Sequence, residues 1–198
     1  MEPIRTVFLF FDGMEVLDFA GPLEVLGEAK DEAGRNRFDL SFARPGQDEL
    51  IDVRNGLTVR AAHSIEAIET AGLLVIPGGR GVAELVEQIE VIQFIRRLAG
   101  TGAEVFSICT GSWLLAEAGL LNGQPATSHF LALDRLESRY PAVDWKRDTR
   151  YVFYEGGLTS AGVSAGIDAA FALLSRQFGE AYAQAQADMM EYRLIPGP

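Results

Sequence analysis

The chain contains one cysteine, Cys109, and the residues around it are typical of a nucleophile held on a sharp turn. Cys109 follows the apolar run 104–108 and precedes a helical pattern that begins near Trp113. Ser107 and Gly111 are small, as a strand-to-helix nucleophile elbow requires two positions before and after the nucleophile. Because a helix N-terminus favours negative charge, we predict that this thiol is largely ionised at neutral pH. A buried structural cysteine is the alternative, since free cysteine packs like a small apolar side chain.

The elements that must position this thiol follow from apolar runs that alternate with helical patterns. Such alternation is typical of βαβ units, in which helices cover both faces of a largely parallel sheet. Predicted strands cover residues 4–11, 38–43, 73–76, 104–108, 150–154 and 158–160, and a small hairpin lies within 45–62. Predicted helices cover residues 16–26, 82–100, 113–119, 131–136, 166–178 and 179–190. We therefore expect one α/β domain over residues 1–198, a three-layer α/β/α sandwich with a mostly parallel central sheet.

Composition argues against several classes of partner. The chain has 28 acidic and 17 basic side chains, and its net charge of −11 disfavours nucleic acid, which is bound through clustered Lys and Arg. One cysteine forms no intrachain disulfide, and one cysteine with two histidines makes no convincing metal site. The first apolar run is too short for a signal peptide, and no run reaches the length of a membrane span. We predict a cytoplasmic protein that binds neither nucleic acid, membrane nor metal.

Seven short motifs, spread over nearly the whole chain, point to a family. They lie at 17–26 (LDFAGPLEVL), 76–79 (IPGG), 107–112 (SICTGS), 118–121 (AGLL), 126–129 (ATSH), 159–162 (TSAG) and 165–168 (AGID). The chain resembles the ThiJ/PfpI superfamily, of class I glutamine amidotransferase-like fold. It is most similar to the isonitrile hydratase branch, which is related to the ligand domains of some AraC-type regulators. This resemblance implies a flavodoxin-like arrangement of the sandwich.

Asp18 matches the acidic residue that faces the nucleophilic thiol in this branch. A carboxyl close to a thiolate shares a proton with it and can then protonate or deprotonate a substrate. The resemblance therefore implies that Asp18 is the acid–base partner of Cys109. The alternative is an N-cap for a helix that begins near Gly21, because aspartate commonly caps helices.

Three further positions acquire roles from the resemblance. Gly78 and Gly79 match a loop that crosses near the thiol, and the N–H groups of Gly79 and Thr110 could form an anion hole. Thr110 matches the residue beside the nucleophile, where its hydroxyl could bond substrate or water. The alternatives are an ordinary tight turn for the two glycines and a capping role for Thr110 in the first helical turn.

His129 lies twenty residues after Cys109, where many members of the superfamily carry a histidine. A Cys–His pair is a common route to an activated thiolate, and His129 could also line the pocket without acting as a base. The amidotransferases have a carboxylate two positions after this histidine, whereas this chain has Leu131. The PfpI-type peptidases have a histidine directly after the cysteine, whereas this chain has Thr110. These departures argue against glutamine hydrolysis and against peptidase activity.

The resemblance implies an enzyme that adds water to an isocyanide and gives an N-substituted formamide. Cys109 would attack the terminal carbon of this small-molecule substrate, Asp18 would supply a proton and then activate water, and no cofactor is required. Thr110 and Gly79 would orient water or stabilise developing charge.

Two other functions remain open. The first is a ligand or oxidative-stress sensor in which Cys109 binds an electrophile or is oxidised beside Asp18. AraC-type regulators continue into a helix-turn-helix domain, whereas this chain ends at Pro196-Gly197-Pro198, so we expect no direct transcriptional control. The second is glyoxalase- or deglycase-like action on reactive aldehydes, although members with that activity usually carry glutamate at the position of Asp18. Relatives are usually homodimers, and we expect a homodimer here.

Overall fold

The computed structural model describes residues 2–194. The strands are β1 (Ile4–Leu9), β2 (Phe38–Arg44), β3 (Leu50–Asp52), β4 (Thr58–Arg60), β5 (His63–Ser64), β6 (Leu73–Ile76), β7 (Glu104–Ile108), β8 (Pro125–Ala126), β9 (Asp144–Trp145), β10 (Tyr151–Tyr154) and β11 (Gly157–Ser160). The helices are α1 (Val16–Gly27), α2 (Val82–Leu85), α3 (Ile89–Gly100), α4 (Ser112–Glu117), α5 (Phe130–Arg139), α6 (Ala165–Phe178) and α7 (Glu180–Met189). The chain end at 196–198, on which the expectation about a following domain rests, lies outside the described residues.

A mostly parallel sheet of seven strands forms the centre of the protein. Its strand order is β10-β11-β7-β6-β1-β2-β5, and β10 is antiparallel to its neighbour β11 whereas the other adjacent pairs are parallel. Parallel strands need long crossover connections, and here helices supply most of them. The predicted α/β class and mostly parallel sheet are confirmed.

Helices cover both faces of this sheet because its central strands are apolar on both sides. Strand β6 (LLVI) has four residues that are all fully buried, as expected for a parallel strand between two helical layers. Helix α6 packs against α1 and α7, whereas α4 packs against α2 and α3. Every apolar side chain at the centre of the sheet is thereby removed from water, which is the main favourable contribution to folding.

The predicted helix over 82–100 is two helices. Helix α2 ends at Leu85, Gln88 adopts an extended conformation, and α3 begins at Ile89. The apolar periodicity continues across the break because Leu85, Val86 and Ile92 are all buried, so periodicity alone does not reveal it. Beyond the break, α3 packs against α4.

The hairpin predicted within 45–62 is confirmed. Strands β3 and β4 pair in an antiparallel register that places Leu50 opposite Arg60. The hairpin packs onto the loop after β1, where the Asp12 carboxylate accepts a hydrogen bond of 2.7 Å from the N–H of Asp52. This contact fixes the segment that leads into α1.

Among the helices of residues 2–194, none combines the length and the apolar character that crossing a bilayer demands.

Candidate functional site

The residues predicted for the site follow consecutive strands of the sheet. Asp18 follows β1, Gly78 follows β6 and Cys109 follows β7, and these three strands are neighbours in the strand order. Strand β11, on the other side of β7, leads to Val163. Because the carboxyl ends of parallel strands share one edge, the four segments meet there, where α/β proteins bind ligands.

Cys109 occupies a strained elbow between β7 and α4. Its φ of +56° lies in the left-handed region, which non-glycine residues rarely adopt. The peptide groups on both sides are fixed: the N–H of Cys109 donates to the carbonyl of Ala161 at 3.3 Å. Its carbonyl accepts hydrogen bonds from the hydroxyls of Ser112 at 3.2 Å and Ser128 at 2.9 Å. The thiol is buried. A small apolar side chain could be packed without this strained left-handed backbone, so the conformation favours a functional cysteine over a purely structural one.

Asp18 lies beside this thiol and does not cap a helix. Helix α1 begins at Val16, so Asp18 lies in its first turn, and the carboxylate reaches out of the helix to two other segments. One oxygen accepts from the N–H of Gly78 at 3.0 Å and the other from the N–H of Val163 at 3.1 Å. The alternative role as an N-cap is therefore wrong, because the cap position is Glu15.

Burial gives the two acidic groups unusual proton affinities. Asp18 is fully buried, and this loss of hydration raises its pKa from 3.8 to about 7, against the opposing effect of the Gly78 N–H, the Cys109 thiol and the Val163 N–H. Burial also raises the pKa of Cys109 to about 12, and the neighbouring negative charge of Asp18 adds to this effect. The pair therefore holds two protons below about pH 7 and one proton above it.

The expectation that Cys109 is largely ionised at neutral pH is therefore wrong. That expectation relied on a helix N-terminus, but α4 has only six residues and Cys109 lies in a short 3-10 turn before it. Desolvation and the Asp18 carboxylate outweigh the hydrogen bonds from the Thr110 backbone and hydroxyl, which lower the pKa of the thiol. A thiolate forms here when the shared proton moves to Asp18.

The glycine loop after β6 closes tightly over the thiol. A Cβ atom at Gly78 would lie 2.6 Å from the backbone nitrogen of Thr110 and 2.8 Å from the Cβ of Cys109, so no side chain fits at this position. The loop is joined to the segment before α1, because the N–H of Glu15 donates to the carbonyl of Gly78 at 2.9 Å. Gly78 thus makes the predicted close approach to the thiol, whereas Gly79 pairs with Met14 in an isolated antiparallel β-bridge and is not a central residue of a tight turn.

The hydroxyl of Thr110 secures this loop. It accepts a hydrogen bond of 3.0 Å from the N–H of Gly79 and also lies 3.3 Å from the carbonyl oxygen of Gly79. Thr110 makes no side-chain cap at the start of α4. Because the Gly79 N–H already has this partner, the anion hole predicted from Gly79 and Thr110 requires a substrate to displace the Thr110 hydroxyl.

His129 lies at the edge of the site as the N-cap of α5. Its Nδ1 accepts a hydrogen bond of 3.2 Å from the N–H of Leu131, and its ring stacks on Phe130. The ring presses against Gly162, where a Cβ atom would lie 2.2 Å from its Cδ2. Within residues 2–194 no hydrogen bond joins His129 to Cys109. With Nδ1 accepting this hydrogen bond, the neutral ring carries its proton on Nε2.

Sequence reasoning missed the contributions of Val163, Ser128 and Glu15. Val163 donates to Asp18, Ser128 holds the Cys109 carbonyl, and the negative charge of Glu15 raises the pKa of Asp18. The signals available were the two motifs at 126–129 and 159–162, which contain or precede these donors. No group of three or more potential metal ligands occurs among residues 2–194.

Comparisons with known proteins agree with this geometry. The model of the DJ-1/PfpI family matches residues 4–176. The chain is 32% identical over 194 residues to an isonitrile hydratase from Pseudomonas putida. The matched region covers 96% of this chain and 78% of that protein. It is 31% identical over 178 residues to the HTH-type transcriptional regulator CdhR from Pseudomonas aeruginosa, which covers 87% of this chain and half of that regulator. A solved THiJ/PfpI family protein from Pseudomonas syringae superposes with a TM-score of 0.85 at 26% identity, over 99% of this chain and 78% of the other.

A mostly parallel sheet with helices on both faces defines an α/β protein of the flavodoxin-like kind. The buried thiol lies at a strand-to-helix elbow of this fold. The chain belongs to the DJ-1/PfpI family.

Proposed function

We propose that this protein is an isonitrile hydratase-like enzyme, which adds water to an isocyanide and gives an N-substituted formamide. The observation that carries the proposal is the buried Cys109–Asp18 pair, whose raised pKa values leave one shared proton above about pH 7. An addition of this kind needs a nucleophile and a proton donor in contact at the same time. The similarity to an isonitrile hydratase over 96% of this chain supports the same reaction.

The reaction begins when the shared proton moves from sulfur to the Asp18 carboxylate. The thiolate of Cys109 attacks the terminal carbon of R–NC, a C–S bond forms, and that carbon takes the proton from Asp18. The product is a thioimidate, R–N=CH–S–Cys109, and Asp18 is again a carboxylate. Burial raises the pKa of both groups, so the proton stays within the pair during this transfer.

Hydrolysis of the adduct uses the same two residues. The Asp18 carboxylate takes a proton from water as the water oxygen bonds to the thioimidate carbon, and the Asp18 carboxyl then passes this proton to the nitrogen. Collapse of R–NH–CH(OH)–S–Cys109 breaks the C–S bond, releases R–NH–CHO and returns the proton to the pair. In this proposal the Thr110 hydroxyl and the Gly79 N–H orient the water when they exchange their mutual hydrogen bond for one to the substrate.

Turnover of cyclohexyl isocyanide tests the proposal, with the formyl proton of the product followed by NMR. We expect kcat/KM to rise with pH through about 7, as the pair loses its first proton. Cys109→Ala abolishes turnover, and Asp18→Asn lowers it by at least ~10²-fold because the acid–base group is lost. Asp39→Asn, the same change at an exposed carboxylate on β2, leaves the rate unchanged. Turnover that survives Cys109→Ala, or none with several isocyanides, contradicts the proposal.

A sensory function is the second candidate, and the regulator relatives favour it. A sensor thiol that reacts with peroxide is normally exposed and of low pKa, whereas Cys109 is buried with a raised pKa. Mass spectrometry after mild peroxide decides between the two. Rapid, selective oxidation of Cys109 together with absent isocyanide turnover supports the sensor, and an inert thiol counts against it.

A further inference from the structure

Val163 supplies one of the two backbone N–H groups that donate hydrogen bonds to the Asp18 carboxylate. Val163 has a φ of +55°, and a β-branched residue in this left-handed region is strained. Such a conformation persists only where the surrounding structure enforces it. The residues that enforce it therefore control whether the N–H points at Asp18.

Arg150 forms hydrogen bonds with the chain on both sides of Val163. Before Val163, the carbonyl of Arg150 accepts a hydrogen bond of 2.8 Å from the N–H of Ala161. After Val163, the guanidinium donates to the hydroxyl of Ser164 at 3.2 Å and to the carboxylate of Asp168 in the first turn of α6.

The buried carboxylate of Asp168 fixes the position of the Arg150 guanidinium. Its side chain is 1% exposed, whereas that of Arg150 is 35% exposed. The second carboxylate oxygen of Asp168 accepts a hydrogen bond of 2.7 Å from the hydroxyl of Tyr192. The guanidinium is therefore held from the core side and reaches outward to the loop.

We infer that Arg150 is a positioning residue that keeps the Val163 N–H directed at Asp18 and thereby tunes the Cys109–Asp18 pair. The importance of this tuning for turnover rests on the proposed function, but its effect on the thiol does not. The other charged or titratable groups around Asp18 are Cys109 and Glu15, the latter paired with Arg54 at 2.5 Å, and His129 lies beyond Gly162. None of them contacts Arg150 through a hydrogen bond or ion pair within the described chain.

Alkylation of Cys109 by iodoacetamide across pH 5–10 provides the test. Cys109 is the chain's single cysteine, so intact-mass labelling reports on this site alone. The logarithm of the wild-type rate is expected to rise with pH and to bend near pH 7, where the pair loses its first proton, before the thiol itself begins to ionise at higher pH. We call the pH of this bend the midpoint. In Arg150→Met the midpoint rises by about one pH unit, because Asp18 loses a hydrogen bond that favours its charged form.

Ser164→Ala separates positioning from charge. It removes one contact of Arg150 with the loop, leaves every charge in place and alters an exposed residue, so the fold survives it. We expect the midpoint to rise by roughly half as much as in Arg150→Met. Arg150→Lys keeps a cation beside Asp168, and its midpoint is expected to lie between those of Arg150→Met and the wild type. Tyr192→Phe leaves the contact between Arg150 and Ser164 intact and does not move the midpoint.

Arg147→Met is the matched control. Arg147 pairs with two exposed or half-exposed carboxylates, those of Asp134 and Glu137, and within residues 2–194 it makes no hydrogen bond or ion pair to the Val163 loop. Its loss leaves the midpoint unchanged. An unchanged midpoint in Ser164→Ala overturns the inference, and so does an equal shift in Arg147→Met.

Turnover of cyclohexyl isocyanide is then measured in the same variants. We expect kcat to fall with KM unchanged in Arg150→Met, because a positioning residue acts on the chemical step and not on binding. If the wild-type protein turns over no isocyanide while the midpoints shift as expected, the proposed function fails and the positioning inference stands. If turnover occurs but the midpoints do not move, the inference fails alone.

Discussion

Asp18 and Asp168 are both buried carboxylates near the same edge of the sheet, yet their surroundings differ in one respect. Asp168 is paired with the guanidinium of Arg150 and the hydroxyl of Tyr192, whereas Asp18 accepts from two backbone N–H groups and pairs with no cation among residues 2–194. A cation stabilises a buried negative charge far more than neutral N–H groups do. Asp168 is thus suited to fastening α6, whereas Asp18 is left with a proton that it can give and take near neutral pH.

The largest difference between the two carboxylates is expected when the same substitution is made at each. Asp168→Asn leaves the guanidinium of Arg150 without its counter-charge. Loss of one partner of a fully buried pair costs about 3–5 kcal/mol, and we expect about 2–3 kcal/mol here because Arg150 is one-third exposed to water. Urea unfolding at pH 8, followed by circular dichroism, measures this loss. Stability equal to that of the wild type contradicts the anchoring role of Asp168.

Asp18→Asn is expected to have the opposite sign at the same pH. The pKa of Asp18 is higher in the folded state than its ordinary value of 3.8, so the folded protein favours the protonated form. Its stabilising contribution is complete below pH 3.8 and is lost as the pH rises toward about 7. A rise of about three units corresponds to roughly 4 kcal/mol of destabilisation at pH 8, which the amide removes.

The amide introduces a smaller cost of its own. Its NH2 group faces one of the two N–H donors, from Gly78 or Val163, and an unsatisfied buried donor costs about 1–3 kcal/mol. We therefore expect Asp18→Asn to be more stable than the wild type by about 1–3 kcal/mol at pH 8 and less stable at pH 4. Unfolding free energies at both pH values test this reversal. A difference between variant and wild type that does not change with pH shows that Asp18 is not raised in pKa.

The contrast between the two carboxylates marks what the sequence can and cannot predict. The order of strands and helices follows from periodicity, and the elbow follows from small residues around Cys109. The pairing of Asp18 with Cys109 came from motif resemblance, because no local pattern relates positions so far apart. The structure brings these predicted residues together at one edge of the sheet.

The donors and the proton affinities at the site depend on tertiary structure. Asp18 and Val163 are 145 positions apart in the chain, and the φ of Val163 reflects contacts from other elements. The protonation of Cys109 was predicted in the wrong direction because a helix N-terminus is a local feature, whereas burial is not. The homodimer and the cytoplasmic location stay predictions.

The smallest expected effect concerns Glu15, the N-cap residue of α1, which lies three residues before Asp18 and opposes its ionisation. Arg54, from the turn of the hairpin, pairs with Glu15 at 2.5 Å and offsets part of its charge. Glu15→Gln is expected to lower the midpoint of Cys109 alkylation by a few tenths of a pH unit, because a like charge near Asp18 is removed. Arg54→Met is expected to raise the midpoint by a similar amount, because Glu15 then opposes Asp18 with its full charge.

Both shifts should shrink in 1 M salt, since Glu15 and Arg54 are partly exposed to solvent. The shift from Ser164→Ala should persist there, because it acts through a hydrogen bond and not through charge. Shifts of the same sign in Glu15→Gln and Arg54→Met would show that the hairpin acts on Asp18 by packing alone.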